Sequence, residues 1–194
     1  MNTESAAMHA YVVGCALGDG NLSSPNGRVT RLRITCDSKY PALASDIADA
    51  LRAIFPSNKI SIVKRKNDAC FDISLYSKKL DSLMPWRAGS GPKTAQGARV
   101  PAWIHENELY ARACLRGLIL TDGCIYTDRG YRMVNFVNNC APLARDVFDM
   151  LSKLGYRPRL NSLPLPGGGT KYTVKVARKL EVSRLIQDLN LHKS

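Results

Sequence analysis

The sequence predicts an α+β protein built from two copies of one αββαββα unit. Three observations point to it. Five landmarks recur about one hundred residues apart, alternating apolar–polar stretches fall into hairpin pairs, and amphipathic stretches can cover one face of each resulting sheet. The landmarks keep their order. Val12-Val-Gly-Cys-Ala-Leu-Gly-Asp-Gly20 lines up with Leu115-Arg-Gly-Leu-Ile-Leu-Thr-Asp-Gly123, and Arg31-Leu-Arg-Ile-Thr-Cys36 with Tyr131-Arg-Met-Val-Asn-Phe136. Asp46-Ile-Ala-Asp-Ala-Leu51 is echoed by Asp146-Val-Phe-Asp-Met-Leu151, Phe71-Asp-Ile-Ser-Leu75 by Tyr172-Thr-Val-Lys-Val176, and Pro92-Lys-Thr94 by His192-Lys-Ser194.

Each copy opens with an apolar helix, Ser5 to Leu17 and Glu106 to Thr121, that Asp-Gly stops. A hairpin follows, turning at Pro25-Asn-Gly27 and at Asp128-Arg-Gly130. An amphipathic helix comes next, over 42–55 and 142–154, with Ile47, Leu51 and Ile54 on one stripe. The second hairpin spans 60–76, turning at Asn67-Asp68, and 158–177, with Pro166-Gly-Gly-Gly169 at its loop, and a short helix closes each copy. Polar, Gly-rich residues 89–103 read as a linker between an N-terminal repeat (1–88) and a C-terminal repeat (104–194). The uncovered sheet face stays wet, so polar side chains alternate onto it: Arg31, Arg33 and Thr35 against Leu32, Ile34 and Cys36.

Composition narrows the function. The chain has 194 residues, 45% of them hydrophobic, and a formal charge of +12. The surplus divides as +5 and +7 between the two halves, so a basic surface is spread over the whole fold and favours a polyanionic partner, nucleic acid before membrane. No apolar run reaches the ~18 residues of a membrane span, and the N-terminus lacks the pattern of a signal peptide. The expectation is an intracellular protein, not secreted. Six cysteines without CxxC spacing read as reduced thiols rather than a disulfide framework or a zinc site. There is no P-loop, GxGxxG or HExxH, and His9, His105 and His192 have no ligand spacing.

The chemistry concentrates at Asp19-Gly20 and Asp122-Gly123. Gly at a helix end is the usual left-handed stop, whereas an Asp there faces the negative end of the helix dipole. A cation placed between two such ends reverses that cost. Gly14 with Gly18, and Gly117 with Thr121, set small residues one turn apart, which lets two helix backbones approach and brings Asp19 and Asp122 together. Paired carboxylates there suit a hard divalent ion, with the backbone carbonyls of Gly18 and Thr121 as further oxygen ligands.

These residues resemble the LAGLIDADG homing endonucleases in their single-chain, two-repeat form. Leu115 to Gly123 keeps the signature's Leu, Gly, Leu, Ile, final Asp and final Gly, while Val12 to Gly20 strictly keeps Gly14, Asp19 and Gly20. Leu17 and Leu120 stand where the signature has its first Asp. The resemblance implies two antiparallel sheets forming a DNA-binding saddle, with the signature helices packed at the interface. It implies double-strand cleavage of DNA by metal-dependent phosphodiester hydrolysis, with Mg²⁺, or Mn²⁺ in its place, held by Asp19 and Asp122. Lys93 and Lys193, at matching places in the repeats, look like the family's active-site basic residues. Specificity is expected from the wet sheet faces through Arg31, Arg33, Thr35, Ser74, Arg132, Asn135, Arg159 and Lys175, with Lys64, Arg65 and Lys66 near a hairpin tip gripping phosphates. The copies differ at these positions, so the expected partner is a non-palindromic double-stranded DNA target, bound by a monomer. The alternatives are a non-catalytic DNA-binding regulator or an RNA-binding intron maturase of the same fold, or a basic scaffold protein, which leaves the matched Asp-Gly ends unexplained.

Overall fold

The computed structural model describes residues 2–66 and 68–192. The first repeat runs α1 (Thr3–Asp19), β1 (Gly20–Ser23), β2 (Thr30–Asp37), α2 (Pro41–Ile54), β3 (Ser61–Lys64), β4 (Cys70–Ser77) and α3 (Leu80–Leu83). After a one-turn helix, α4 (Ala102–His105), the second runs α5 (Glu108–Asp122), β5 (Gly123–Asp128), β6 (Tyr131–Asn138), α6 (Ala141–Lys153), β7 (Arg159–Pro164), β8 (Thr170–Val176) and α7 (Lys179–Asp188). The strands form two antiparallel sheets of order β1-β2-β4-β3 and β5-β6-β8-β7. This is the α+β architecture with two αββαββα repeats that the sequence predicts. Helix α4 has no place in that pattern; it follows Pro101 and buries Ile104, but a single turn is too short to leave a periodicity.

Helices α1 and α5 form the spine. Asn2 accepts from the Ser5 amide at 2.8 Å, and Asn107 accepts from Leu109 N at 2.9 Å, satisfying first-turn donors. Those caps start α1 two residues before the expected Ser5 and α5 two residues after the expected Glu106. Val12, Val13, Cys15, Ala16 and Leu17 are fully or almost fully buried, as are Cys114, Leu115 and Leu118, while Glu108, Arg112 and Arg116 keep one side of α5 charged. They touch backbone to backbone. A Cβ on Gly14 would overlap the Cys114 carbonyl, one on Gly117 would lie 2.5 Å from Tyr11 O, and one on Gly18 would overlap the Thr121 hydroxyl.

The left-handed stop expected at Asp-Gly is absent. Gly20 (φ −83°) and Gly123 (φ −102°) are extended and are the first residues of β1 and β5. Glycine is required there because a Cβ would lie 2.6 Å from Ala16 Cα, or 2.7 Å from Ile119 Cα, as the chain passes straight from helix into strand.

Amphipathic α2 and α6 cover one face of each sheet. Leu32, Ile34, Cys36, Ile73 and Leu75 point into the core of the first repeat, and Val134, Phe136, Val174 and Val176 into that of the second. The β5–β6 turn uses Arg129 (φ 50°) and Gly130 (φ 81°), the left-handed pair of a tight hairpin. The ladders refine the repeat. Gly20 pairs with Ile34 and Gly123 with Phe136, while Leu32 pairs with Leu75 and Val134 with Val176. Arg31 therefore matches Met133, and Arg33 matches Asn135, two residues away from the correspondence that the sequence alignment gives. A longer turn after β1 and a shorter β6–α6 connection absorb the difference.

The segment between the repeats is anchored at several points. Asp146 of α6, 1% exposed, accepts from Arg99 Nη2 at 2.7 Å and from Val100 N at 2.8 Å. Gln96 accepts from Arg87 N and donates to the carbonyls of Arg87 and Gly91. Among the described residues no helix is long and apolar enough to cross a membrane. Cys15, Cys36, Cys114 and Cys140 are buried thiols, Cys70 is half-buried, and Cys124 is exposed.

Candidate functional site

The ends of α1 and α5 meet as their small residues require. Asp122 Cγ lies 3.5 Å from where a Gly18 Cβ would be, which sets the second carboxylate against the last turn of the first helix. Lys93 lies against the same last turn. Its ammonium donates to Leu17 O at 2.7 Å, to Ala16 O at 3.1 Å and to Gly18 O, and stands 5.4 Å from the centre of the Trp86 ring. A cation there neutralises the negative end of α1. Burial pushes the Lys93 pKa below its ordinary value, while the charges of Asp122 and Asp19 act to hold it up.

A cavity of about 220 Å³ opens at this point, lined among others by Gly18, Lys93, Asp122, Asn138 and Cys140. Asn138 was not anticipated. Its Nδ2 donates to Asp122 Oδ2 at 2.6 Å while its Oδ1 accepts from Cys140 N at 2.8 Å, so the backbone amide fixes which end of the carboxamide meets the carboxylate. The sequence carried a signal: Asn138 falls on the core side of β6, where alternation calls for an apolar residue. The Gly18 carbonyl, one of the expected metal ligands, accepts from Lys93. The Thr121 hydroxyl turns back onto Gly117 O at 2.9 Å. Lys193 lies outside the described residues, as does Asn67. A far larger cavity, about 1070 Å³, borders His9, Trp103 and Asp146, and none of Asp19, Lys93 and Asp122 lines it.

On the open faces the ladders put Asn21, Ser23, Arg31, Arg33 and Thr35 together on the first sheet, and Asn135, Arg159, Asn161, Lys171, Thr173 and Lys175 on the second. Asn21, Asn161 and Lys171 were missed, although alternation alone would have included them. Several expectations need correction. Arg132 shares the side of Val134, the helix side, and lines a cavity with Leu191 and His192. Lys64 pairs with Phe71 and also falls on the helix side, at the exposed edge of its sheet. Ser74 is on the open face but only 7% exposed. Arg65 donates to both oxygens of Asp72, at 2.9 and 3.0 Å, and to Asp68 at 3.1 Å, so its charge is spent within the protein; Lys66 beside it is exposed. Thr35 donates to Asp72 at 2.8 Å. Burial acts to raise the Asp72 carboxyl, but the bonds from Arg65 and Thr35 outweigh it and hold it below the usual carboxylate value. Asn135 Nδ2 donates to the Tyr126 hydroxyl at 3.2 Å, and Lys175 lies 5.9 Å from the same ring.

Comparison with known proteins bears on the fold that carries this site. A family model described as a LAGLIDADG-like domain matches residues 109–189. No curated protein sequence matches the chain. Among solved structures, mesophilic variants of the homing endonuclease I-DmoI superpose with a TM-score of 0.70 at 20% identity, covering 98% of this chain and 99% of theirs. I-DmoI in complex with DNA and Mn gives 0.70 at 21% identity over 97% of this chain and 99% of that one. Full-length DUF199/WhiA from Thermatoga maritima gives 0.68 at 11% identity, covering all of this chain and 58% of its own. The chain thus carries a LAGLIDADG-like domain at residues 109–189 and has, over nearly its whole length, the two-repeat fold of the homing endonuclease I-DmoI.

Proposed function

We propose that the chain is a site-specific DNA endonuclease that cuts both strands of a long, asymmetric duplex target by divalent-metal-dependent hydrolysis, acting as a monomer. The observation that carries the reading is the meeting of Asp19, Asp122 and Lys93 at the joined ends of α1 and α5, between two sheets whose open faces carry arginine, lysine and amide side chains. The complexes of I-DmoI with DNA and with Mg or Mn support it.

The donor set fits a hard ion. Among the described residues no cluster of three or more His, Cys, Asp and Glu side chains forms a metal cage. Two carboxylates, completed by water and phosphate oxygens, are what Mg²⁺ commonly takes from a protein in phosphoryl chemistry. Asp19 and Asp122 would hold Mg²⁺ or Mn²⁺, which when bound supplies Lewis-acid activation of the scissile phosphate and of water. The chain's own groups do the rest. Asn138 orients the Asp122 carboxylate, and Lys93 keeps a fixed positive charge close to where a phosphate would lie, without reorganisation during the reaction. The arginines and lysines of the sheets offset the duplex's charge and set its register.

The experiment is cleavage of a randomised duplex library with Mg²⁺, using the wild type and Asp19→Asn and Asp122→Asn. Cleavage by the wild type, together with variants that bind but do not cut, supports the reading. A wild type that binds specific duplexes and cuts none with Mg²⁺ or Mn²⁺ replaces it with a DNA-binding regulator.

A further inference from the structure

Across each open face the ladders align one residue per strand into rows. In the first sheet Asn21, Arg33, Ser74 and Ser61 form one row, and Ser23, Arg31 and Tyr76 the next. In the second sheet the matching rows hold Cys124, Asn135, Lys175 and Arg159, then Tyr126 and Met133. The two faces differ at every matched place of these rows, with Lys175 and Arg159 standing where the first sheet has Ser74 and Ser61, and the basic residues change strand. Arg31 and Arg33 of β2 are replaced by Met133 and Asn135 of β6.

Both arginines are half-buried on the open face. Among the described residues neither forms an ion pair, and Arg31 Nε is buried without a hydrogen-bond partner. The Arg31 guanidinium lies 5.7 Å from the centre of the Tyr76 ring, which limits its freedom before any contact is made. Asp72, the carboxylate one row beyond Arg33, is engaged by Arg65 and Thr35. Two residues along a strand are about 6.6 Å apart, close to two base-pair steps of about 3.4 Å each. A guanidinium fork matches O6 and N7 of guanine in the major groove, while an apolar side chain meets the thymine methyl. On β6 Asn135 Nδ2 donates to the Tyr126 hydroxyl and its Oδ1 is buried, while Met133 holds the open-face position matched to Arg31.

We propose that the first repeat reads two guanines about two base pairs apart through Arg31 and Arg33, and that the second sets a thymine methyl against Met133 at the pseudo-symmetric place of Arg31. This rests on the DNA reading above and deepens it, since it assigns a base composition to each half of the target. The asymmetry lies in base identity at corresponding positions.

The test is a binding selection from a randomised duplex library with the full chain in EDTA, so that cleavage plays no part. One half-site should be enriched for two guanines two base pairs apart, and the other for thymine at the position mirroring one of them. Arg33→Gln should shift one guanine to adenine and weaken binding to the parent site about 5- to 150-fold. Arg31→Met should exchange the other guanine for thymine, making the selected site symmetric at that pair of positions. Unchanged guanines in both variants, or A·T pairs at those positions for the wild type, overturn the assignment. Sequence-independent binding overturns the assignment and leaves DNA binding standing; no binding overturns both. Both side chains lie on an open strand face, and circular dichroism of each variant confirms that it remains folded.

Discussion

Replacing Gly117 by alanine adds one methyl group at the tightest point of the spine. The new Cβ would lie 2.5 Å from Tyr11 O, 2.7 Å from Cys15 N and 3.0 Å from Gly14 C, all backbone atoms of the facing helix. Restoring an ordinary contact of about 3.4 Å needs about 0.9 Å of separation between two helices whose own backbones meet along the seam, and such overpacking costs about 3 kcal/mol. Alanine returns about 1 kcal/mol through its higher helix propensity. The net loss is then about 2 kcal/mol, or about 4–8 °C in the thermal midpoint for a chain of this size. Thermal and urea unfolding of Gly117→Ala measure it. Gly167→Ala serves as a control, because nothing lies within 4 Å of its Cβ and the effect should stay within about 0.5 kcal/mol. A Gly117→Ala protein as stable as the wild type would refute the backbone-contact argument, since no other term opposes the gain in propensity.

Four further outcomes are expected. Asp146→Ala should cost about 2–4 kcal/mol, because it orphans the buried Val100 amide and releases Arg99, whereas Asp46→Ala, at the matching exposed position beside Arg116, should cost about 1 kcal/mol or less; paired urea titrations separate them. Lys93→Met should lower stability by about 1–2 kcal/mol through loss of the cation at the end of α1, and abolish cleavage while duplex binding in a mobility-shift assay persists. The Asp188 carboxyl is held below its ordinary value by the Tyr156 hydroxyl at 2.6 Å and then by Arg112, against the opposing effect of burial. Its contribution is complete above the unfolded value and lost as pH falls through the folded one, so wild type should lose more stability than Asp188→Asn below about pH 5. In a thiol titration of the native protein Cys124 should react first, and Cys15 and Cys114, whose pKa values burial pushes up, only after unfolding.

What the sequence made legible follows from which physics is local. The meeting of Asp19 with Asp122 could be read because small residues one turn apart leave a single way for the two helices to pack. The place of Lys93 could be read from its position in the repeat, but the target of its ammonium could not. That cage of carbonyls on α1 comes from a segment more than seventy residues away in sequence. Arg132 was assigned to the open face together with Asn135, although residues three apart on one strand face opposite ways, and the ladder settles which of the two is outward. Arg65 and Thr35 sit where charge and alternation place them, yet both are spent on Asp72, a partner that only the folded sheet supplies. Asn138 escaped notice because a polar side chain on a core-side position looks like a flaw until the carboxylate above it is known.

The direct passage from helix to strand at Asp19-Gly20 and Asp122-Gly123 has a mechanical effect. No connecting residue separates either carboxylate from the first strand of its sheet, so the position of each acid relative to the open face of that sheet is set by continuous helix-to-strand geometry. The offset between the paired acids and the open sheet faces is then written into covalent geometry. Under the proposed function, altering the side chains of the sheets would change where the molecule settles on a duplex, while the distance from that footing to the cleaved bond would stay the same.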